Sequence, residues 1–195
     1  MKPILSLKAR ALQWLAQREQ SRVELRRKLL QYALIEAAAG RAGEAADVGA
    51  GARADPDLDA PADARADASA NASAARATVE ALLDWLETHN YLSPERFVES
   101  RVHARAARFG NLRIRSELKQ HALALPPEAA QALADTELDR ATQLCERKFG
   151  AVSTVPATPA VRARQARFLA GRGFSPNTIR SVLRWTSKAG ADHGD

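Results

Sequence analysis

Large apolar residues recur at helical spacing along this chain, in short stretches separated by helix start and stop signals. Ser21 is followed three residues later by Glu24, a spacing typical of a helix N-terminus. Leu25, Leu29 and Leu30 then form the apolar stripe of a helix. Because no segment shows the sustained alternation that is typical of a strand, the pattern predicts an all-α fold.

The same punctuation continues to the C-terminal part of the chain. A serine or proline marks further helix starts, and Gly-Asn marks a break between two helices. The predicted features are a helix striped by Val79, Leu82, Leu83 and Leu86, a start at Ser93-Pro94-Glu95, a break at Gly110-Asn111, one long helix from Pro126-Pro127 to Gly150, and helices at about 160–171 and 176–187.

One short pattern occurs three times, with a small residue followed at +4 and +8 by large aliphatic residues. The copies are Ser21–Leu25–Leu29, Gly110–Ile114–Leu118 and Ser175–Ile179–Leu183. Each copy follows a helix and a tight turn, so the second helix would pack through this stripe and a third helix would close a small bundle. Units of this size bury little surface alone, and neighbours should share their stability. The prediction is a set of tandem three-helix, helix-turn-helix-like repeats in an elongated, curved array.

The repeat pattern also predicts boundaries. They are a first repeat at 1–92, interrupted by a disordered insertion at 38–75, a second repeat at 93–150, a linker at 151–158, a third, truncated repeat at 159–187 and a flexible tail at 188–195. The insertion consists mainly of Ala, Gly, Asp and Pro, with only Val48 and Leu58 as larger aliphatic residues. Such a segment cannot bury enough apolar surface to offset the entropy of ordering it.

The net charge of the chain indicates which classes of partner it can bind. The chain carries a net charge of +6, but residues 38–75 hold 3 Arg against 7 Asp and Glu, so that the segment carries −4 and the remainder +10. A basic helical protein can bind nucleic acid, an acidic protein or an anionic membrane surface. No apolar run approaches the roughly 18 residues that span a bilayer. With one cysteine, Cys145, and no secretory signal pattern, we expect a cytoplasmic protein that does not bind a membrane.

Basic residues on the predicted helices are the candidate contacts to a partner or to nucleic acid, because arginine pairs with phosphate and with carboxylate groups in bidentate fashion. The alternative for any one of them is a solvated helix face with a local ion pair, such as Glu24–Lys28 at i,i+4. The candidates are Arg22, Arg26, Arg27, Lys28, Arg105, Arg108, Arg113, Arg115, Lys119, Arg167, Arg172, Arg180 and Arg184.

Three acidic residues invite an enzymatic interpretation. Asp135, Glu137 and Asp139 lie close together, and paired carboxylates can hold Mg²⁺ or transfer protons. They occur on a Leu-striped helix beside Arg140 without a Lys or His constellation, so a solvated face is the preferred interpretation. The four histidines lack metal-ligand spacing. We therefore expect no catalytic residue, no metal and no cofactor.

Three longer strings resemble the RecX family of bacterial recombination regulators. They are Leu92-Ser93-Pro94-Glu95-Arg96-Phe97, Ile114-Arg115-Ser116-Glu117-Leu118 and the segment RFLAGRGFS from Arg167 to Ser175, and the resemblance extends over nearly all of the chain outside 38–75. It implies tandem three-helix repeats that bind the RecA recombinase in the groove of its filament on single-stranded DNA.

The same resemblance implies inhibition of strand exchange, ATP hydrolysis and co-protease activity, and thus regulation of homologous recombination, DNA repair and the SOS response. It implies a protein without a catalytic site, which we expect to act as a monomer. The alternative is a helix-turn-helix DNA-binding protein without a recombinase partner, since Gly171 to Arg180 resembles a helix-turn-helix junction. Three such junctions without a dimerisation element do not suit a repressor.

Overall fold

The computed structural model describes the backbone of residues 5–47, 62–150 and 158–188, and the side chains of residues 5–36, 69–150 and 158–184. Every regular element in these ranges is an α-helix, as predicted. In chain order they are α1 (Leu7–Gln17), α2 (Arg22–Asp47), α3 (Ala62–Thr88), α4 (Pro94–Ala106), α5 (Asn111–Gln120), α6 (Pro127–Asp135), α7 (Glu137–Phe149), α8 (Pro159–Gly171) and α9 (Pro176–Lys188). The chain divides into two compact units, Met1–Pro94 and Glu95–Asp195.

Hydroxyl side chains set several helix starts, because they accept hydrogen bonds from backbone N–H groups that have no partner within the helix. The Ser21 hydroxyl accepts from the Glu24 N–H at 3.1 Å, which confirms the predicted cap of α2. Ser175 caps α9 in the same way through the Thr178 N–H at 3.2 Å. The predicted start at Pro94 and the break before Asn111 are also confirmed.

The first unit is a three-helix bundle of α1, α2 and α3. Its core consists of buried aliphatic residues from all three helices and from the turn after α3. The members are Ala11, Leu25, Leu29, Val79, Leu83, Leu86 and Leu92. The predicted stripes of α2 and α3 thus pack against each other, while Trp14 and Trp85 pack at the edge of the cluster.

The insertion predicted at 38–75 is helical over part of its length, and the prediction of disorder is wrong there. Helix α2 continues to Asp47 and α3 begins at Ala62, while residues 48–61 lie outside the described residues. Alanine has the highest helix propensity, and extending a helix already nucleated by core packing adds one hydrogen bond for each residue fixed. An argument from buried apolar area alone overlooks this contribution.

The second unit contains two bundles. The first, formed by α4, α5 and α6, buries Phe97, Val98, Ile114, Leu118 and Leu133. The second, formed by α7, α8 and α9, buries Ala141, Cys145, Leu169, Phe174 and Val182. Cys145 is therefore a small buried residue of this core, and burial raises the pKa of its thiol.

The predicted boundaries at 93–150 and 159–187 are wrong, since α7 belongs to the third bundle rather than the second. The single helix predicted from Pro127 to Gly150 ends at Asp135 and restarts at Glu137, with Thr136 between them. The third repeat therefore has three helices and is not truncated. Residues 151–157 of the predicted linker and 189–195 of the predicted tail lie outside the described residues.

The repeat motif explains this error. In the first two bundles it precedes the second helix, α2 or α5, whereas Ser175 precedes α9, the last helix of the third bundle. Because the prediction places the third motif before the second helix of its repeat, the predicted third repeat begins one helix too late, at α8 instead of α7. The packing differs as well, because Val182 at +7 is fully buried while Leu183 at +8 is only partly buried.

Ion pairs join α2 to α3 beside the core of the first unit. Arg22 contacts Glu80, Asp84 and Glu87 at 3.0, 2.6 and 2.6 Å. Arg26 binds Glu80 through two guanidinium nitrogens. Burial alone would lower the pKa of Arg22, but its hydrogen bonds to these carboxylates raise it, and the bonds to Glu80 also raise the pKa of Arg26. The hydrogen bond from Arg26 correspondingly lowers the pKa of Glu80.

We expect Glu80→Gln to reduce the acid sensitivity of the first unit. The pKa of Glu80 lies below its ordinary value of 4.5, so the carboxylate stabilises the fold above that pH and this contribution is lost as the pH falls through the lowered pKa. At neutral pH the substitution should cost about 0.5–1 kcal/mol, because the pairs are partly exposed and screened. Thermal unfolding of both proteins between neutral and acidic pH measures this difference, which should shrink below pH 4.5. A difference that is constant with pH would contradict the assignment.

Candidate nucleic-acid interface

Most of the predicted basic candidates in the first repeat are held by the protein itself. Arg22 and Arg26 bind the carboxylates of α3. Lys28 donates to Gln20 at 2.8 Å and lies 3.6 Å from Glu24, which is the local pairing considered as the alternative. Arg27 is exposed and has no ion pair within the described residues. Only one of the four therefore presents an uncompensated charge.

The basic candidates of the second unit differ, because several of them form no ion pair within the described residues. Arg105 binds Glu117 in bidentate geometry at 3.0 to 3.2 Å. Arg180 donates to Asn177, and Arg184 donates to Ser181 at 3.5 Å, both within α9. Exposed candidates with no ion pair among the described residues are Arg108, Arg113, Arg115, Lys119, Arg167 and Arg180.

Several of these arginines gather around the ring of Phe109, in the turn between α4 and α5. The guanidinium carbons of Arg113, Arg172 and Arg105 lie 4.7, 5.5 and 5.7 Å from the ring centroid. Arg172 also donates to the Arg108 carbonyl at 3.5 Å. We call Phe109, Arg105, Arg108, Arg113 and Arg172 the Phe109 cluster. It joins predicted candidates from the second and third repeats, which are far apart in sequence.

Two glycines allow this gathering, because the turn before α5 crosses the turn before α9. The Gly110 N–H donates to the Arg172 carbonyl at 3.0 Å and the Leu112 N–H donates to the Gly173 carbonyl at 3.1 Å. A Cβ at Gly110 would lie 2.3 Å from the backbone of Phe174, and one at Gly173 would lie 2.5 Å from the Cβ of Arg113. Gly173 also has a φ of +78°, which favours glycine.

A buried carboxylate supports the same junction, and sequence analysis missed it. Glu137, interpreted above as part of a solvated acidic face, is only 5% exposed. One of its oxygens accepts from the Asn111 N–H at 2.9 Å and the other accepts from the Thr178 hydroxyl at 2.8 Å. It therefore joins the N-terminus of α5 to that of α9. Asp135 and Asp139 are exposed, which agrees with the earlier interpretation for those two residues.

Arg140 completes the buried network from the other side. Its guanidinium donates to the carbonyls of Ala106 and Phe109 at 2.8 and 2.9 Å. It also donates to the Asn111 side chain at 2.7 Å and to the Leu133 carbonyl at 2.9 Å. Burial lowers the pKa of Arg140, although the charge of Glu137 partly offsets this effect. No sequence spacing indicated this role, because the carbonyls that Arg140 binds belong to another bundle.

Within the described residues, no group of three or more His, Cys, Asp and Glu side chains is placed to hold a metal ion. No helix in the described part of the chain is long and apolar enough to cross a membrane. The basic surface of the second unit is therefore the principal candidate site in these ranges.

Tandem three-helix bundles with this basic surface define an all-helical repeat protein, and comparison with known proteins identifies the family. Residues 135–183 match the family model of the third three-helix domain of RecX. This range agrees with the third bundle as the structure defines it.

Relatives match over nearly the whole chain. The regulatory protein RecX of Ralstonia pickettii is 40% identical over 190 residues, which cover 96% of this chain and 89% of the relative. That of Herbaspirillum seropedicae is 40% identical over 190 residues, covering 94% and 92%. That of Herminiimonas arsenicoxydans is 41% identical over 183 residues, covering 92% of each. This chain belongs to the RecX family of regulatory proteins.

We expect Gly173→Ala to destabilise the junction by about 1–3 kcal/mol, since alanine must adopt a positive φ there and contact Arg113. Gly171→Ala is the matched control, because a Cβ at that position meets nothing within 4 Å. At this exposed helical position alanine should stabilise the protein by up to about 1 kcal/mol. Urea unfolding of the full-length proteins, followed by helical circular dichroism, measures both changes. Equal effects of the two substitutions would contradict the close backbone crossing.

A second substitution tests the buried carboxylate. Glu137→Ala leaves the Asn111 N–H and the Thr178 hydroxyl without their acceptor, and we expect a loss of about 2–4 kcal/mol. Asp139→Ala, two residues away on the surface, should change stability by less than about 0.5 kcal/mol. The same urea unfolding experiment separates them. Similar losses for both variants would show that Glu137 does not hold the two helix starts together.

Proposed function

We propose that this protein binds the RecA recombinase on single-stranded DNA and inhibits its recombinase, ATPase and co-protease activities, thereby regulating DNA repair and the SOS response in the cytoplasm. The observation that carries this proposal is the identity of about 40% to proteins named regulatory protein RecX along nearly the whole chain. The relatives are named as regulatory proteins, which favours a binding function over a catalytic one.

The charge distribution supports the same proposal. A nucleoprotein filament presents phosphate groups together with acidic protein surface, and exposed arginines can pair with either. In the second unit, Arg108, Arg113, Arg115, Lys119 and Arg167 are exposed without carboxylate partners among the described residues. Several such contacts on one rigid unit combine through their high effective concentration, so a monomer could hold a filament with individually weak contacts.

The direct test uses preformed RecA filaments on single-stranded DNA with ATP. We expect the purified full-length protein to slow ATP hydrolysis at amounts below one molecule per RecA subunit, because one bound molecule contacts several filament components. Hydrolysis is measured by release of inorganic phosphate. No effect at equimolar protein would falsify the proposal.

Two controls separate inhibition of the filament from simple coating of DNA. The filaments are formed at saturating RecA before the protein is added, because coating of bare DNA cannot slow hydrolysis by RecA that already covers the strand. A duplex-binding control addresses the helix-turn-helix alternative, since a sequence-specific reader keeps its preference for one duplex at high salt. Sequence-specific duplex binding combined with normal ATP hydrolysis would favour that alternative.

A further inference from the structure

We propose that the Phe109 cluster is a binding site for the phosphodiester backbone of a single nucleic-acid strand. This inference deepens the proposed function and rests on it for the identity of the strand. Arg108, Arg113 and Arg172 would supply the phosphate contacts. Phe109 would act as a positioning residue, because guanidinium groups from two repeats lie over its ring, while the Phe168 ring also lies 5.3 Å from that of Arg172.

The local charge balance favours an anionic ligand. Glu117 is the carboxylate that pairs with this group, and it is shared by Arg101 at 3.2 Å and Arg105 at 3.0 Å. Arg108, Arg113 and Arg172 have no carboxylate partner among the described residues. The guanidinium groups of Arg113 and Arg172 lie over the Phe109 ring, which holds a guanidinium without neutralising it. Arg108 is exposed, so these charges remain available to an anion. A phosphate between them would relieve their mutual repulsion.

The backbone groups of the junction are already occupied, which leaves the guanidinium groups as the donors to a ligand. The Asn111 N–H is taken by Glu137, and the N–H groups of Gly110 and Leu112 are taken by carbonyls of the crossing turn. The start of α5 is therefore not itself an anion site. The arginine side chains lie outside it, and Arg108 and Arg113 are exposed to solvent.

The surface around the cluster favours a strand over an acidic protein patch. Arg115 and Lys119 lie one turn apart on the exposed side of α5, and both lack an ion pair among the described residues. Arg115 lies about 200° around the helix axis from Arg113, so α5 carries unpaired positive charge on two sides, and a surface with charge of one sign suits a polymer with one negative charge per residue. The arginines of the first unit differ from the cluster, because Arg22 is paired with carboxylates of the neighbouring helix α3.

The same geometry disfavours insertion into a duplex. Recognition helices place their N-terminal residues against base edges in the major groove. In α5 the first residue, Asn111, is 7% exposed and lies under the crossing turn of the third repeat. The cluster can therefore contact a backbone that passes over it, whereas the start of α5 cannot enter a groove.

Anisotropy of a fluorescein-labelled oligothymidylate, titrated with the full-length protein in the absence of RecA, tests the site. We expect Arg108→Gln with Arg113→Gln to lower affinity about 20-fold at 0.1 M salt and to reduce the salt slope of log K by about 1.4, because each phosphate contact on a single strand contributes about 0.7. The matched control is Arg76→Gln with Lys148→Gln, which removes the same charge from exposed positions on α3 and α7 that have no ion pair among the described residues. It should change affinity less than about 2-fold.

Phe109→Leu tests the positioning role without changing the charge. If the ring aligns the guanidinium groups, affinity should fall about 3-fold or more while circular dichroism and the salt slope stay close to those of the wild type. Unchanged affinity would show that the ring is only part of the core.

Two results would overturn the inference. Equal losses in the cluster variant and its control would indicate diffuse attraction, and unchanged oligonucleotide binding with lost RecA binding would assign the cluster to an acidic protein surface. If the wild-type protein inhibits RecA but the cluster variant binds the oligonucleotide as tightly as the wild type, this inference is refuted and the proposed function stands. Cluster-dependent binding by a protein without effect on RecA supports the site and refutes the proposed function.

Discussion

The second unit depends on one contact between two turns, at which the backbone of the third repeat crosses that of the second with no room for a side chain. Gly110 and Gly173 provide that space, and each turn satisfies backbone groups of the other. Separating the turns would expose several polar groups that are now paired, at a cost comparable to a lost hydrogen bond for each. The crossing also carries Arg172 and Arg113 to the same aromatic ring.

Buried polar groups give this crossing a defined geometry. Glu137 accepts hydrogen bonds from the first residue of α5 and from Thr178 of α9, and Arg140 binds carbonyls at the end of α4. Taking such groups out of water costs free energy that their contacts recover only when the arrangement is correct. The first unit differs, because its ion pairs between α2 and α3 are partly exposed and a hydrophobic core does most of the stabilising. The two units therefore use charge for different purposes.

Much of this fold follows from local sequence signals, since caps such as Ser21 and stripes such as Leu25 and Leu29 act within one helix or between neighbours. The break at Thr136 could not be predicted in this way, because no glycine or proline marks it and leucines continue across it. The site was predictable only as a set of arginines. Whether an arginine is paired with a carboxylate depends on contacts such as that of Arg22 with Glu87, which lie 65 residues apart. Which arginines lie together depends on the Phe109 ring, which contacts side chains from two bundles.

The acidic residues of the third helix differ between the first two repeats, and this difference determines whether the arginines of the second helix form ion pairs with it. Helix α3 carries Glu80, Asp84 and Glu87 at a spacing that places them on one face, and that face binds the arginines of α2. Helix α6 occupies the corresponding place in the second repeat, but its acids lie near its two ends and form no ion pair with α5. Arg113, Arg115 and Lys119 therefore keep their charge. Repeats of one architecture can thus use arginines differently, since the first repeat pairs them with its own carboxylates and the second leaves several of them exposed.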